Sequence, residues 1–193
     1  MRDEKMESSI RGFSRARLTI PIIMLSIALA MPALSAQLPQ KGSVLPSIRF
    51  LSPLLPEDQK YLAVTGDTFA VKDVTCQVLL VEIISVYCPA CYRQVPLFNK
   101  LFARIEQGKL RNKVKMLAVA AGGTVMEVKY LRKDGQYAYP IVQDEAFTIH
   151  RLLGEPRTPF TMLVDKEGKV LYSHLGVIED IDAFYDSLKQ LVE

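Results

Sequence analysis

The sequence predicts an α/β fold: a central mixed β-sheet with helices on both faces and an extended N-terminal arm. Three observations carry that expectation. Nearly unbroken apolar runs rich in β-branched residues, "QVLLVEIISV" and "VKMLAVAA", read as buried central strands. The stretches between them place apolar residues at i, i+3, i+4 and i+7, one face of a helix. Near the C-terminus two strand-like runs are joined by Lys166-Glu167-Gly168, a hairpin turn that makes part of the sheet antiparallel. In a chain of 193 residues, nearly half of them apolar, this alternation gives one domain with one sizeable core.

The elements follow in order. Residues 1–36 open with a basic stretch ending in "RAR", continue into the charge-free "LTIPIIMLSIALAMPAL", and close on small residues in "ALSAQ". That is the order of a secretory signal, and an uncleaved N-terminal membrane anchor is the second reading. Either places the body in the periplasm or another extracytoplasmic space, where disulfides persist. Residues 37–60, with Pro39, Pro46, Pro53 and Pro56, read as an extended arm with little regular structure, partly laid along the domain of residues 61–193. A short strand enters at "TGDTFAVKDV" after a turn at Gly66-Asp67. The strand "QVLLVEIISV" leads to Cys88, and a helix with Phe98, Leu101, Phe102 and Ile105 on one face ends near Gly108. After "VKMLAVAA" come a Gly122-Gly123 turn and a helix capped by Thr124, with Val125, Val128 and Leu131 inward. "YPIVQD" is a third strand, "EAFTIHRLLG" a short helix closed by Gly154, and "FTMLVD" and "KVLYSH" form the hairpin. The last helix sets Ile181, Phe184, Leu188 and Leu191 on one side.

The net charge of +3 is concentrated among the first seventeen residues. The near-neutral body offers no footprint for nucleic acid. Gly122-Gly123 lacks the rest of a dinucleotide-binding fingerprint.

The chemistry gathers at "VEIISVYCPACYRQVP", residues 81–96. Structural zinc needs four ligands, and beyond Cys88 and Cys91 the chain offers only Cys76, His150 and His174. Copper held by two cysteines and one histidine stays open as an alternative. A staple closing so short a loop constrains the unfolded chain little. A redox couple fits the position best. The pair follows a buried strand and opens a helix, whose first turn brings the two sulfurs within bonding reach. At the helix N-terminus, unpaired N–H groups and the macrodipole favour a Cys88 thiolate, and Pro89 suits the first helical position. Cys91, further inside, would resolve a mixed disulfide. Glu82 lies in an apolar strand without an evident partner. Burial should raise its pKa and suit it to take the Cys91 proton. Cys76 reads as a small buried hydrophobe or a spare thiol. Tyr87 and Tyr92 flank the pair as a docking surface or as packing, Arg157 reads as a solvated loop charge, and His150 as packing.

"VEIISVYCPAC", "YRQVP" and "GEPRTPFTMLVDKEGKVL" together resemble the thioredoxin superfamily, in particular secreted TlpA/ResA-type thioredoxin-like proteins, over roughly residues 41–193. The resemblance implies a thioredoxin-like fold and thiol–disulfide exchange with protein substrates, reset by an upstream redox partner, without a bound cofactor or metal and as a monomer. It implies that Glu82, six residues before Cys88, is the buried acid, that Pro96 kinks the first helix, and that Pro159 is a cis-proline facing the pair. Thr158 then offers backbone groups to a bound polypeptide as an added strand. Tyr87 stands where the family has Trp, Pro-Ala separates the cysteines, and Phe160 follows the cis-proline in place of the acidic residue of cytochrome-maturation reductases. Two alternatives accompany this reading. One is a peroxiredoxin-type peroxidase, with Ser85 three residues before Cys88. The other is a non-enzymatic copper-delivery or redox-sensing module.

Overall fold

The computed structural model of the protein describes residues 37–134 and 136–193. The expected signal or anchor segment lies outside them. Among the described residues no helix is long and apolar enough to cross a membrane.

The element order is β1 (Phe50–Leu51), α1 (Pro56–Leu62), β2 (Thr68–Phe69), a 3₁₀ turn (Val71–Asp73), β3 (Val78–Ile84), α2 (Pro89–Gln107), β4 (Val114–Ala121), α3 (Val125–Lys133), β5 (Ile141–Asp144), α4 (Thr148–Leu152), β6 (Phe160–Asp165), β7 (Val170–Leu175) and α5 (Ile181–Val192). Five strands make one mixed sheet in the order β5-β4-β3-β6-β7. β4 pairs with β3 and β5 in parallel, while β6 runs antiparallel to both β3 and β7. All seven residues of β3 are buried, as expected for a central strand covered on both faces.

Two cores follow from the period-2 alternation of the strands. Leu80, Ile84, Met116, Ala118 and Leu163 share one with α2 and α5, through Phe98, Leu101, Phe184 and Leu188. Leu79, Val81, Ile83, Leu117, Val119 and Met162 share the other with Ile48, Phe50, Leu62 and Phe69.

The arm is more regular than the sequence suggested. Phe50 pairs with Phe69 in a separate two-stranded ribbon, and the boundary expected at residues 60 and 61 falls inside α1. The scattered apolar residues that concealed a pattern are spent on burial: Ile48, Phe50 and Leu62 are in the core. Asp58 of α1 is fastened to α3 by Arg132, whose Nε and Nη2 donate to the two carboxylate oxygens. Two helix faces also differ from expectation. Val125 is exposed because it is the first residue of α3, beyond the turn that meets the sheet. In α5 the buried stripe is Phe184, Tyr185, Leu188 and Val192, which leaves Leu191 exposed at its rim.

Candidate active site

β3 delivers the chain to the site. After Ile84 the backbone turns, and Cys88 becomes the N-cap of α2, in extended conformation at φ −91° and ψ 109°. Its sulfur does the work of a capping oxygen: Cys91 N–H donates to Cys88 Sγ over 3.1 Å. Pro89 stands at the first helical turn, and Pro96 lies within the helix. Thr158–Pro159 is a cis peptide, and the Thr158 carbonyl oxygen lies 3.4 Å from Cys88 Sγ. The loop before β6 thus meets the N-terminus of α2 directly.

The two sulfurs occupy different environments. Both cysteines are free thiols, as is Cys76. Cys88 is half-buried while Cys91 is buried. Partial burial pushes the Cys88 thiol up, but hydrogen bonds from the Cys91 and Thr158 side chains and from the N–H groups of Cys91 and Ala90 outweigh it, leaving the pKa below the ordinary thiol value. Burial pushes Cys91 up to about 12, helped by the hydrogen bond it shares with Cys88. Cys76 is buried in the other core and pushed up by desolvation to about 11.

Glu82 is fully buried on the α2 side of the sheet, in the row of Leu80 and Ile84. It is not without partners, as the sequence had suggested. Tyr139 Oη donates to Glu82 Oε2 over 2.5 Å, and Gln94 Nε2 donates to Oε1 over 2.6 Å. Gln94 is fixed in turn, its Oε1 accepting from Ile178 N over 2.8 Å. Burial still dominates, and although both donors favour the charged form, the carboxyl is pushed up to about 7. Gln94 was legible in principle, being a polar residue on the stripe Cys91, Gln94, Val95 and Phe98. Nothing local marked Tyr139, 57 positions from Glu82.

Tyr87 is 82% exposed, its hydroxyl donating to Glu127 Oε1 over 2.6 Å. The other carboxylate oxygen of Glu127 accepts from Thr124 N and closes the capping box of α3. Tyr92 is also exposed and donates to the Val86 carbonyl. Arg157 is exposed on its loop. His150 does not join the site; its Nε2 lies 3.0 Å from the Pro156 carbonyl oxygen. Among the described residues no group of three or more His, Cys, Asp and Glu side chains is placed to hold a metal ion.

A thioredoxin-like domain with a dithiol at a helix N-terminus, against a cis-proline loop, defines a thiol–disulfide oxidoreductase. The chain belongs to the Redoxin family, whose model matches residues 40–188, and it is of the ResA/TlpA type within the thioredoxin superfamily. It is 24% identical over 127 residues to the thiol-disulfide oxidoreductase ResA of Halalkalibacterium halodurans, covering 64% of this chain and 69% of that one. It is 30% identical over 105 residues to ResA of Geobacillus thermodenitrificans, covering 53% and 58%. The match therefore spans less than two thirds of the second of these curated relatives. Among solved structures, the thioredoxin domain of a Bacteroides vulgatus thiol-disulfide oxidoreductase superposes with a TM-score of 0.60 at 18% identity, covering 79% of this chain and 98% of that one. A thiol:disulfide interchange protein from Bacteroides sp. superposes with a TM-score of 0.59 at 19% identity, covering 80% and 91%. These two show the shared fold.

Proposed function

We propose that the chain exchanges disulfides with protein substrates in the cell envelope through the Cys88-Pro89-Ala90-Cys91 couple. Cys88 is the nucleophile and Cys91 the resolving thiol. The observation that carries this reading is the asymmetry of the pair: one accessible sulfur with a lowered pKa, one buried sulfur with a raised pKa. In the reducing direction the Cys88 thiolate attacks a substrate disulfide, forms a mixed disulfide and expels one substrate thiolate. Cys91 then loses its proton to ionised Glu82 and attacks Cys88 Sγ. The Cys88–Cys91 bond forms and the second substrate thiolate leaves with the electron pair. The oxidising direction is the same sequence reversed, and its choice follows the couple's potential against that of its partners. An upstream dithiol or disulfide partner resets the couple, and the chain acts as a monomer without a bound cofactor.

Thr158 offers its backbone to an extended substrate segment beside Pro159, and exposed Tyr87 gives that segment an aromatic rim. The envelope location rests on the basic lead and charge-free run of residues 1–36, with a cleaved signal and a retained anchor as the two forms.

Trapping tests the roles. Cys91→Ala is expected to accumulate mixed disulfides through Cys88, separable on non-reducing gels, and Cys88→Ala to trap almost nothing. Trapping that follows Cys91 instead would overturn the assignment.

A further inference from the structure

Glu82 is sealed from solvent, yet a group that takes a proton at each resolution step must also release it. The way out is set by strand register. Glu82 of β3 pairs with Thr161 of β6, and Thr161 pairs with His174 of β7. Residues directly opposite on neighbouring antiparallel strands project from the same face, with Cβ atoms about 5 Å apart. Glu82, Thr161 and His174 therefore form one row across three strands, on the side that carries Cys91. The row ends at β7, the edge strand.

Each member has a property the row requires. Thr161 is fully buried, and its Oγ1 has no hydrogen-bond partner. An unpaired buried hydroxyl is costly, and here it stands between the acid and the histidine. A hydroxyl accepts a proton from one neighbour while giving its own to the next, directly or through one bridging water. His174 is half-buried at the rim, with Nε2 3.3 Å from the Val177 carbonyl oxygen. A proton on Nε2 satisfies that carbonyl and leaves Nδ1 as an acceptor. The same loop holds the other end of the system, because Ile178 N–H donates to Gln94, which holds Glu82. The titratable and charged groups on the elements around the row are Tyr172, stacked on His174 with centroids 6.4 Å apart, Glu82, Tyr139, Cys91, and the exposed Glu179 and Asp180 of the loop before α5.

We infer that Thr161 and His174 form a proton relay, carrying the proton that Glu82 takes from Cys91 across the sheet to solvent at the edge strand. The inference rests on the role proposed for Glu82. Cys91–SH gives its proton to the Glu82 carboxylate and its electron pair to the new sulfur–sulfur bond. The Glu82 carboxyl passes a proton to Thr161 Oγ1, which passes its own to His174, and the imidazolium gives one to water.

The test is single-turnover oxidation of the reduced full chain by 5,5′-dithiobis(2-nitrobenzoate), in weak buffer with a pH indicator. The solution is held at about pH 8, where Glu82 starts ionised. The first aromatic thiolate reports attack by Cys88 and the second reports resolution. Neither takes up a proton, so any proton lost by Cys88 appears with the first thiolate, and the one lost by Cys91 is counted from the second thiolate onward. In the parent protein it should appear together with the second thiolate. In Thr161→Val, His174→Gln and His174→Ala it should fall behind the second thiolate by about tenfold, in line with losses of a positioned proton carrier. Thr161→Ser should behave as the parent, and added imidazole should remove the lag in His174→Ala, which a merely structural role would not allow. Proton release in step with the second thiolate in Thr161→Val and both His174 variants would overturn the relay. Glu82→Gln separates the two levels. Slower resolution there, with no lag in the other variants, refutes the relay alone. Unchanged resolution there refutes the role of Glu82 and the relay with it.

Discussion

Alternate residues of β3 look into two different interiors. Leu79, Val81 and Ile83 face a core closed by the arm, through Ile48, Phe50 and Leu62. Leu80, Glu82 and Ile84 face a core closed by α2 and α5, and into that core the molecule places Gln94, Tyr139 and Thr161 as well as Cys91. The β3 side chains on the two sides are equally buried, yet they serve different ends. On the arm side β3 contributes apolar area removed from water, which is non-directional and tolerant of repacking. On the α2 side it contributes a carboxylate whose every hydrogen bond has a named partner, because a buried charge is retained only where donors meet it. The period of a strand is enough to sort structure from chemistry, and one residue of slip would exchange them.

The largest effect should come from the sulfurs themselves. Cys88→Ala should abolish exchange entirely while lowering stability only modestly, by about the 1 kcal/mol that losing the N-cap acceptor of α2 costs. Disulfide-reduction assays and urea unfolding on the same samples check both parts.

Glu82→Gln should act next most strongly, on resolution and on the pH dependence of stability. Resolution is expected to slow by about tenfold with the first attack little changed, measured by rapid mixing. The sign of the stability effect follows from the raised pKa. Between the ordinary carboxyl value of 4.5 and about 7, the folded protein holds a proton that the unfolded chain has lost. Stability therefore falls as pH rises through that window and levels off above it. The whole drop is on the order of 3 kcal/mol. Urea titrations at a series of pH values should show this slope in the parent and lose it in Glu82→Gln, the variant being the more stable of the two at neutral pH.

Leu79→Ala tests the other face. It should cost about 3 kcal/mol by opening a cavity, yet leave the pH dependence of thiol alkylation as in the parent at temperatures where both are folded. A changed Cys88 profile would mean that the two faces are not separable. The smallest effect belongs to Tyr87→Phe, which removes an exposed hydrogen bond to Glu127 and keeps the ring. Its KM for a protein disulfide should rise by no more than about threefold, with the rate towards a small aromatic disulfide unchanged.

The sequence made the arm-independent frame legible because its signals are local. The unbroken run before Cys88, the helix stripe at Phe98, Leu101 and Ile105, and the hairpin around Gly168 all appear where their patterns lie. The cysteines and the proline of "RTPF" were legible for the same reason, reinforced by family resemblance. What remained hidden depends on register between distant segments. Tyr139 meets Glu82 only because β5 and β3 both flank β4, and Thr161 and His174 fall in line with Glu82 only through antiparallel pairing. The short helix in the arm was obscured by its prolines. Pro56 stands at its first position, where a missing N–H costs nothing.

One strand-to-helix junction makes two chemically unlike thiols three residues apart. The most direct test of that difference is the pH dependence of alkylation of each cysteine in the reduced chain, resolved by peptide mass spectrometry. Cys88 should be modified first, with a midpoint below that of an ordinary thiol, while Cys91 stays protected until strongly alkaline pH. Equal rates with a common midpoint, or faster modification of Cys91, would contradict it.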